Sequence, residues 1–191
     1  LLTEGQDVVE DVRAGNDALE LLTAPILRMQ RRPRLVMLRG NHEDRMRRAR
    51  EEAPRQLRTL LSERMFNDKS LGWETVPFKT PILIGGVAFC HYFYNPLSGR
   101  PWSGTAASML RNVGVSFVMG HRQVLDTAFQ TLPLGGRRRG VVAGAFYQHD
   151  EDYIGAQGAA HWRGILVLNE VSGGNFDICE VSLAYLERNY G

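Results

Sequence analysis

Apolar residues fall in short runs separated by glycine-rich or basic turns. Leu35-Val36-Met37-Leu38 follows Arg31-Arg32-Pro33 and stops at Gly40-Asn41, and four consecutive apolar residues between turn signals predict a strand buried on both faces. Ile82-Leu83-Ile84 and Val87-Ala88-Phe89-Cys90 flank Gly85-Gly86, the spacing of a two-residue hairpin turn. Val115 to Met119 predicts another strand, which runs into Gly120-His121. Further strands are expected over 124–131, 140–147, 164–171 and 176–182, with turns at Gly135-Gly136 and Ser172-Gly173-Gly174-Asn175.

Helical patterning is concentrated in the first two-thirds. Asp17-Ala18-Leu19-Glu20-Leu21-Leu22 predicts a helix with Asn16 as its N-cap, bent or restarted at Pro25. From Asp44 to Arg64 strong helix formers are divided by Pro54. The first of these two helices is almost wholly polar and carries Arg45, Arg47, Arg48 and Arg50, while Leu57, Leu60, Leu61 and Met65 give the second an apolar stripe. Thr105 to Asn112 reads as a short helix closing at Gly114. Helices and alternating strands followed by antiparallel strands predict a mixed α/β or α+β class. A chain of 191 residues suits a single domain, 1–191.

Composition removes several classes. The apolar and charged fractions are those of an ordinary globular chain, and no apolar run approaches the roughly 20 residues of a membrane helix, so no membrane partner is expected. Cys90 and Cys179 each sit in an apolar run, which predicts two buried thiols, no disulfide framework and a reducing, cytoplasmic setting. The net charge of +2 is too small to make the whole molecule a polyanion binder, yet 21 arginines stand against 2 lysines. Arginine grips phosphate in a bidentate fork; a GC-rich coding sequence gives the same bias.

Three of the five histidines, His42, His91 and His121, each follow an apolar strand by a few residues at most. Ligands gather at the carboxyl ends of strands in open sheets, so these imidazoles are expected to converge, with Asn41, on a metal.

Leu38-Arg39-Gly40-Asn41-His42-Glu43, then His91 after a later strand, then Val118-Met119-Gly120-His121, in that order, resemble the calcineurin-like metallophosphoesterases. Val142-Ala143-Gly144-Ala145 with His149-Asp150-Glu151-Asp152-Tyr153, and His161-Trp162-Arg163-Gly164, resemble its bacteriophage branch, and the likeness runs from about Leu35 onward. The resemblance implies a two-sheet β-sandwich flanked by helices and hydrolysis of a phosphomonoester or phosphodiester by metal-bound hydroxide. The divalent ions would be Mn, Fe, Zn or Ni, two in the complete family fold and one or none in this chain. It implies Asn41, His91, His121 and Gln123 as metal ligands and His42 as the acid that protonates the leaving alkoxide. Gln123 stands where the family pattern ends in a further histidine. Arg45, His161 and Arg163 are the expected substrate contacts, and glycine at Gly40 and Gly120 is expected to allow the tight turn at each strand end.

Residues 1–33 supply neither the Asp-x-His nor the Gly-Asp-x-x-Asp pattern that carries the first metal in this family, since no histidine precedes His42 and Asp7, Asp11 and Asp17 lie in polar or helical context. Together with the opening Leu1-Leu2-Thr3, this leads us to expect a fragment lacking the first strands, which would otherwise leave strand edges unpaired. The competing reading is a catalytically incomplete homologue that binds nucleic acid or a protein partner, with the arginine-rich helix and Arg137-Arg138-Arg139 tracking a phosphate backbone. Asp150-Glu151-Asp152 reads as a solvated turn.

Overall fold

The computed structural model describes residues 8–58, 65–148 and 161–191. The chain is mixed α/β and divides into two compact units, Leu1–Phe78 and Lys79–Gly191. Among the described residues no helix is long and apolar enough to cross a membrane.

The first unit begins with helix α1, Val8–Leu27. It runs unbroken through Gly15-Asn16, so Asn16 is not an N-cap. Its side chain instead donates to the Met65 carbonyl at 2.7 Å and accepts from the Asn67 N–H at 3.1 Å. These long-range bonds outweigh the local turn preference of Gly-Asn. Pro25 falls in the last turn, and the helix ends two residues later. Buried Thr23 accepts from the Trp73 indole at 2.9 Å, fixing α1 to the 65–73 segment a second time.

Strand β1, Val36–Leu38, pairs in parallel with β2, Glu74–Val76. All three β1 residues are only half-buried, a departure from the expected two-sided burial that follows from pairing in a sheet of two strands. Arg39, just beyond β1, lies over the Phe66 ring at 4.4 Å and donates to Asp68 at 2.7 Å. Asp68, with a side chain only 2% exposed, also accepts from Thr75 of β2 at 2.5 Å. Burial alone raises the Asp68 carboxyl pKa, but the Thr75 hydrogen bond and the Arg39 charge outweigh it and hold the group below its ordinary value. Helix α2, Asn41–Glu52, starts immediately afterwards, three residues before the expected position, and stops before Pro54. The apolar stripe expected beyond it falls largely on residues 59–64, outside the described residues.

The second unit is built on a mixed sheet in the order β3-β4-β5-β7-β6. Its strands are β3 (Ile82–Ile84), β4 (Val87–Cys90), β5 (Phe117–Met119), β6 (Leu125–Thr131) and β7 (Arg137–Ala143). Strands β4, β5 and β7 are mutually parallel, and β3 and β6 run antiparallel at the edges. The hairpin β8 (Gly164–Ser172) and β9 (Asn175–Ser182) forms a separate two-stranded sheet. Phe176 of β9 is buried with Val87 and Val141, and Phe89, Val118, Leu166, Leu168 and Ile178 pack around them.

Strand alternation sends Ala88, Phe117 and Gly140, aligned in register, to the other face. There α3, Ala106–Val113, buries Ala106, Met109 and Leu110, with Thr105 as N-cap and Gly114 left-handed at its end. A Cβ on Gly140 would stand 2.6 Å from the Phe117 ring and 3.2 Å from the Ala106 carbonyl, so only glycine admits the helix this close. Cys90 is buried, but Cys179 is exposed. On β9 the inward residues are Phe176 and Ile178, and period-two alternation turns Cys179 outward. Helix α4, Leu183–Tyr190, follows β9 with Ser182 as its N-cap and was not expected from the sequence.

Two outcomes follow. Asp68→Ala leaves the Arg39 charge without its partner and should cost about 3 kcal/mol in urea unfolding. Because the folded carboxyl titrates below its unfolded value, its contribution is present at neutral pH and lost as pH falls below about 4, and this acid-side loss should be smaller in Asp68→Asn. Gly15→Ala, in an exposed helix interior with nothing within 4 Å of the new Cβ, should raise stability by about 0.5–1 kcal/mol; a loss would show that α1 breaks at Gly15.

Candidate metal centre

Parallel pairing places the carboxyl ends of β4, β5 and β7 on one edge of the sheet, with Cys90 opposite Met119 and Met119 opposite Val142. The next residues therefore leave the sheet side by side. His91 follows β4 directly, and His121 follows β5 after Gly120. His91 Nε2 and His121 Nδ1 lie 3.2 Å apart, and the ring centroids are 5.1 Å apart at an interplanar angle of 67°.

The turn that brings His121 to His91 is made by His121 itself, at φ 66°. A left-handed backbone on a non-glycine residue costs on the order of 1–2 kcal/mol and is held only where its surroundings enforce it. The expectation that Gly120 and Gly40 supply the turns is corrected here. Gly40 has φ −100°, and the positive-φ residues include His121 but neither of these glycines. A Cβ at Gly120 would meet His91 no closer than 3.9 Å; nothing in the structure explains a glycine there.

The pair fits one divalent ion. Two imidazole nitrogens bonded to one centre at about 2.0–2.1 Å in tetrahedral geometry stand about 3.3–3.4 Å apart, close to the observed separation. Among the described residues no group of three His, Cys, Asp or Glu side chains is placed to hold a metal. Burial pushes the thiol pKa of the neighbouring Cys90 up, and its sulfur donates to the Tyr92 carbonyl at 3.1 Å.

Gln123 lies two residues beyond His121, and its backbone carbonyl accepts from the Trp162 N–H at 2.9 Å. Ala145 and Arg163 form a parallel bridge, and Trp162 is seated against Gly144. Gly144 has φ 71°, and a Cβ there would stand 2.6 Å from the Trp162 carbonyl and 2.7 Å from its ring. This seat delivers His161 and Arg163 to the edge that carries the histidine pair. His161 Nδ1 is 2.7 Å from the Tyr147 hydroxyl, and the Arg163 guanidinium lies over the Tyr147 ring at 4.8 Å. Tyr147 was missed from the sequence because its partner is 14 residues away, and strand β7 ends at Ala143 rather than continuing to Tyr147. His149 and Asp150-Glu151-Asp152 lie outside the described residues.

In the first unit, Asn41 and His42 are the opening residues of α2. The Gly40 N–H donates to the Glu43 carboxylate at 2.7 Å, half of a capping box. His42 and Arg45 are exposed. The basic face expected on α2 is largely neutralised from within: Arg47 binds Asp44 at 2.8 Å and Glu51 at 2.5 Å, and Arg48 lies 3.3 Å from Asp44.

Comparison with known proteins adds no relative. No family model matches the sequence, and neither a curated protein nor a solved structure matches it.

Gly144→Ala should lower stability by about 1–3 kcal/mol through its left-handed backbone and the clash with Trp162, and should red-shift tryptophan emission as Trp162 is dislodged. Unchanged melting and emission would show that Trp162 is not seated against Gly144.

Proposed function

We propose that this protein is a metal-dependent phosphoesterase of the calcineurin-like kind, acting on a phosphomonoester or phosphodiester. The observation that carries the reading is the 3.2 Å approach of His91 Nε2 to His121 Nδ1 at the carboxyl ends of two adjacent parallel strands. The layering of a mixed sheet between the β8-β9 hairpin and α3 supports the sandwich that the motif order implies. The order Gly40-Asn41-His42-Glu43, His91, Gly120-His121 supports the phosphoester chemistry.

A divalent ion at this pair would polarise a phosphoryl oxygen and acidify a water. His91 and His121 would present neutral imidazole nitrogens to it, with the Gln123 side-chain oxygen as a further ligand of this reading; Asn41, which the resemblance adds to the ligand set, belongs to the first unit. The resemblance gives His42, in the first unit, the part of the acid that would pass a proton to the leaving alkoxide oxygen as the phosphorus–oxygen bond breaks. His42 stands in the first turn of α2, where the backbone N–H groups and the helix dipole favour an anion. Arg163 and His161 would offer donors to the non-bridging phosphoryl oxygens; Arg45, the other expected substrate contact, stands three residues after His42 in the first unit. On α2, Arg47 and Arg48 share their charge with Asp44 and Glu51, and the binding-module reading stays the alternative.

The full chain with Mn²⁺ should hydrolyse an aryl phosphate ester and stop when a chelator is added. His91→Ala and His121→Ala should abolish the metal-dependent rate, and His42→Ala should lower it by about a hundredfold or more. Salt-sensitive DNA binding without turnover would favour the binding-module reading instead.

A further inference from the structure

We propose that Tyr92 is a positioning residue for the His91–His121 pair, holding both imidazoles in the orientation that lets them share one divalent cation; the proposal rests on the metal reading above. Tyr92 is 7% exposed. Its ring centroid lies 4.9 Å from that of His121 at 53° and 5.8 Å from that of His91 at 54°. The three rings form a closed triangle, its third side being the 5.1 Å His91–His121 contact.

Successive residues of a strand point to opposite faces, so a tyrosine next to His91 would turn away from it if β4 continued. The strand ends at Cys90, and the Cys90 sulfur bonded to the Tyr92 carbonyl folds the chain back. Phe93, buried and edge-on to Phe117 at 5.4 Å, then anchors the next position in the core under α3. Tyr92 is thus fixed on its backbone side and presents its ring to both histidines.

An imidazole rotates about χ2 in a broad well, and rotating either ring would move its nitrogen out of a shared coordination sphere. A buried aromatic wall touching both rings removes that freedom before any ion arrives. Hydrogen-bonded groups that orient metal ligands typically affect affinity by ten- to a hundredfold, and the aromatic wall is expected at the low end of that range. Here the proposed wall acts through the face and edge of the ring, which phenylalanine also offers.

The test is a Co²⁺ titration of the full chain, read by the visible d–d absorption of the bound ion. Tyr92→Leu should bind about tenfold more weakly with a changed spectrum, while Tyr92→Phe keeps the affinity within about threefold and the spectrum of the parent. Parent-like affinity and spectrum in Tyr92→Leu would overturn the proposal, as would a tenfold loss in Tyr92→Phe. Should Tyr92→Leu fail to fold, the parent chain carrying 3-fluorotyrosine decides. The Tyr92 resonance, identified by its loss in Tyr92→Phe, should shift and broaden when Co²⁺ binds, and an unmoved line overturns the proposal. If the parent shows no Co²⁺ spectrum that His91→Ala removes, the metal reading itself fails and takes this proposal with it; a parent that binds normally beside an unaffected Tyr92→Leu sinks the tyrosine alone.

Discussion

The parallel pairing of β4 with β5, in the register that sets Cys90 opposite Met119, governs what the second unit is able to do. One residue of slip would turn every β5 side chain to the other face, exchanging Phe117, which fills the space under α3, with Val118, which packs on the β8-β9 hairpin. Both faces of this sheet are covered, so the core itself enforces the register. The same register makes the residues after Cys90 and after Met119 neighbours at the sheet edge. The stability of the fold and the proximity of His91 to His121 are thus consequences of one constraint.

Local geometry completes what register begins. His121 takes a left-handed backbone to bring its ring back toward His91, and the packing of Tyr92 and Phe93 stands behind that turn. In the first unit the same device recurs with different parts. The end of β1 is pinned by the Arg39–Asp68 pair, with Thr75 of the neighbouring parallel strand completing the contact, and the chain passes through Gly40 into a helix that opens on Asn41-His42. In each unit, buried interactions at a parallel strand's carboxyl end fix the residues that follow it.

Much of this was legible in the sequence where local signals were strong. The Gly85-Gly86 hairpin, the Gly114 stop and the strands on either side of the Gly173-Gly174 turn lie where turn and cap chemistry put them, whereas the strand after Gly135-Gly136 runs over Arg137–Ala143, ahead of the expected 140–147. The recurrence of histidine after apolar runs brought out His91 and His121 without any knowledge of pairing. The errors arose where distant contacts overrode local preference. Gly15-Asn16 looks like a helix start, yet Asn16 serves as a side-chain bridge to Met65 and Asn67. Cys179 sits in an apolar run, but period-two alternation exposes it. Tyr92 and Tyr147 carried no signal, because their importance comes from rings and hydroxyls that only the folded chain brings together.

The central claim is that His91 Nε2 and His121 Nδ1 are ligands of one cation rather than a hydrogen-bonded pair of surface histidines. Anomalous diffraction from crystals of the full chain grown with Mn²⁺ tests it most directly. The account predicts a single peak within about 2.3 Å of both nitrogens. Saturating Mn²⁺ with no peak between the two rings, or a peak bonded to only one of them, would contradict it.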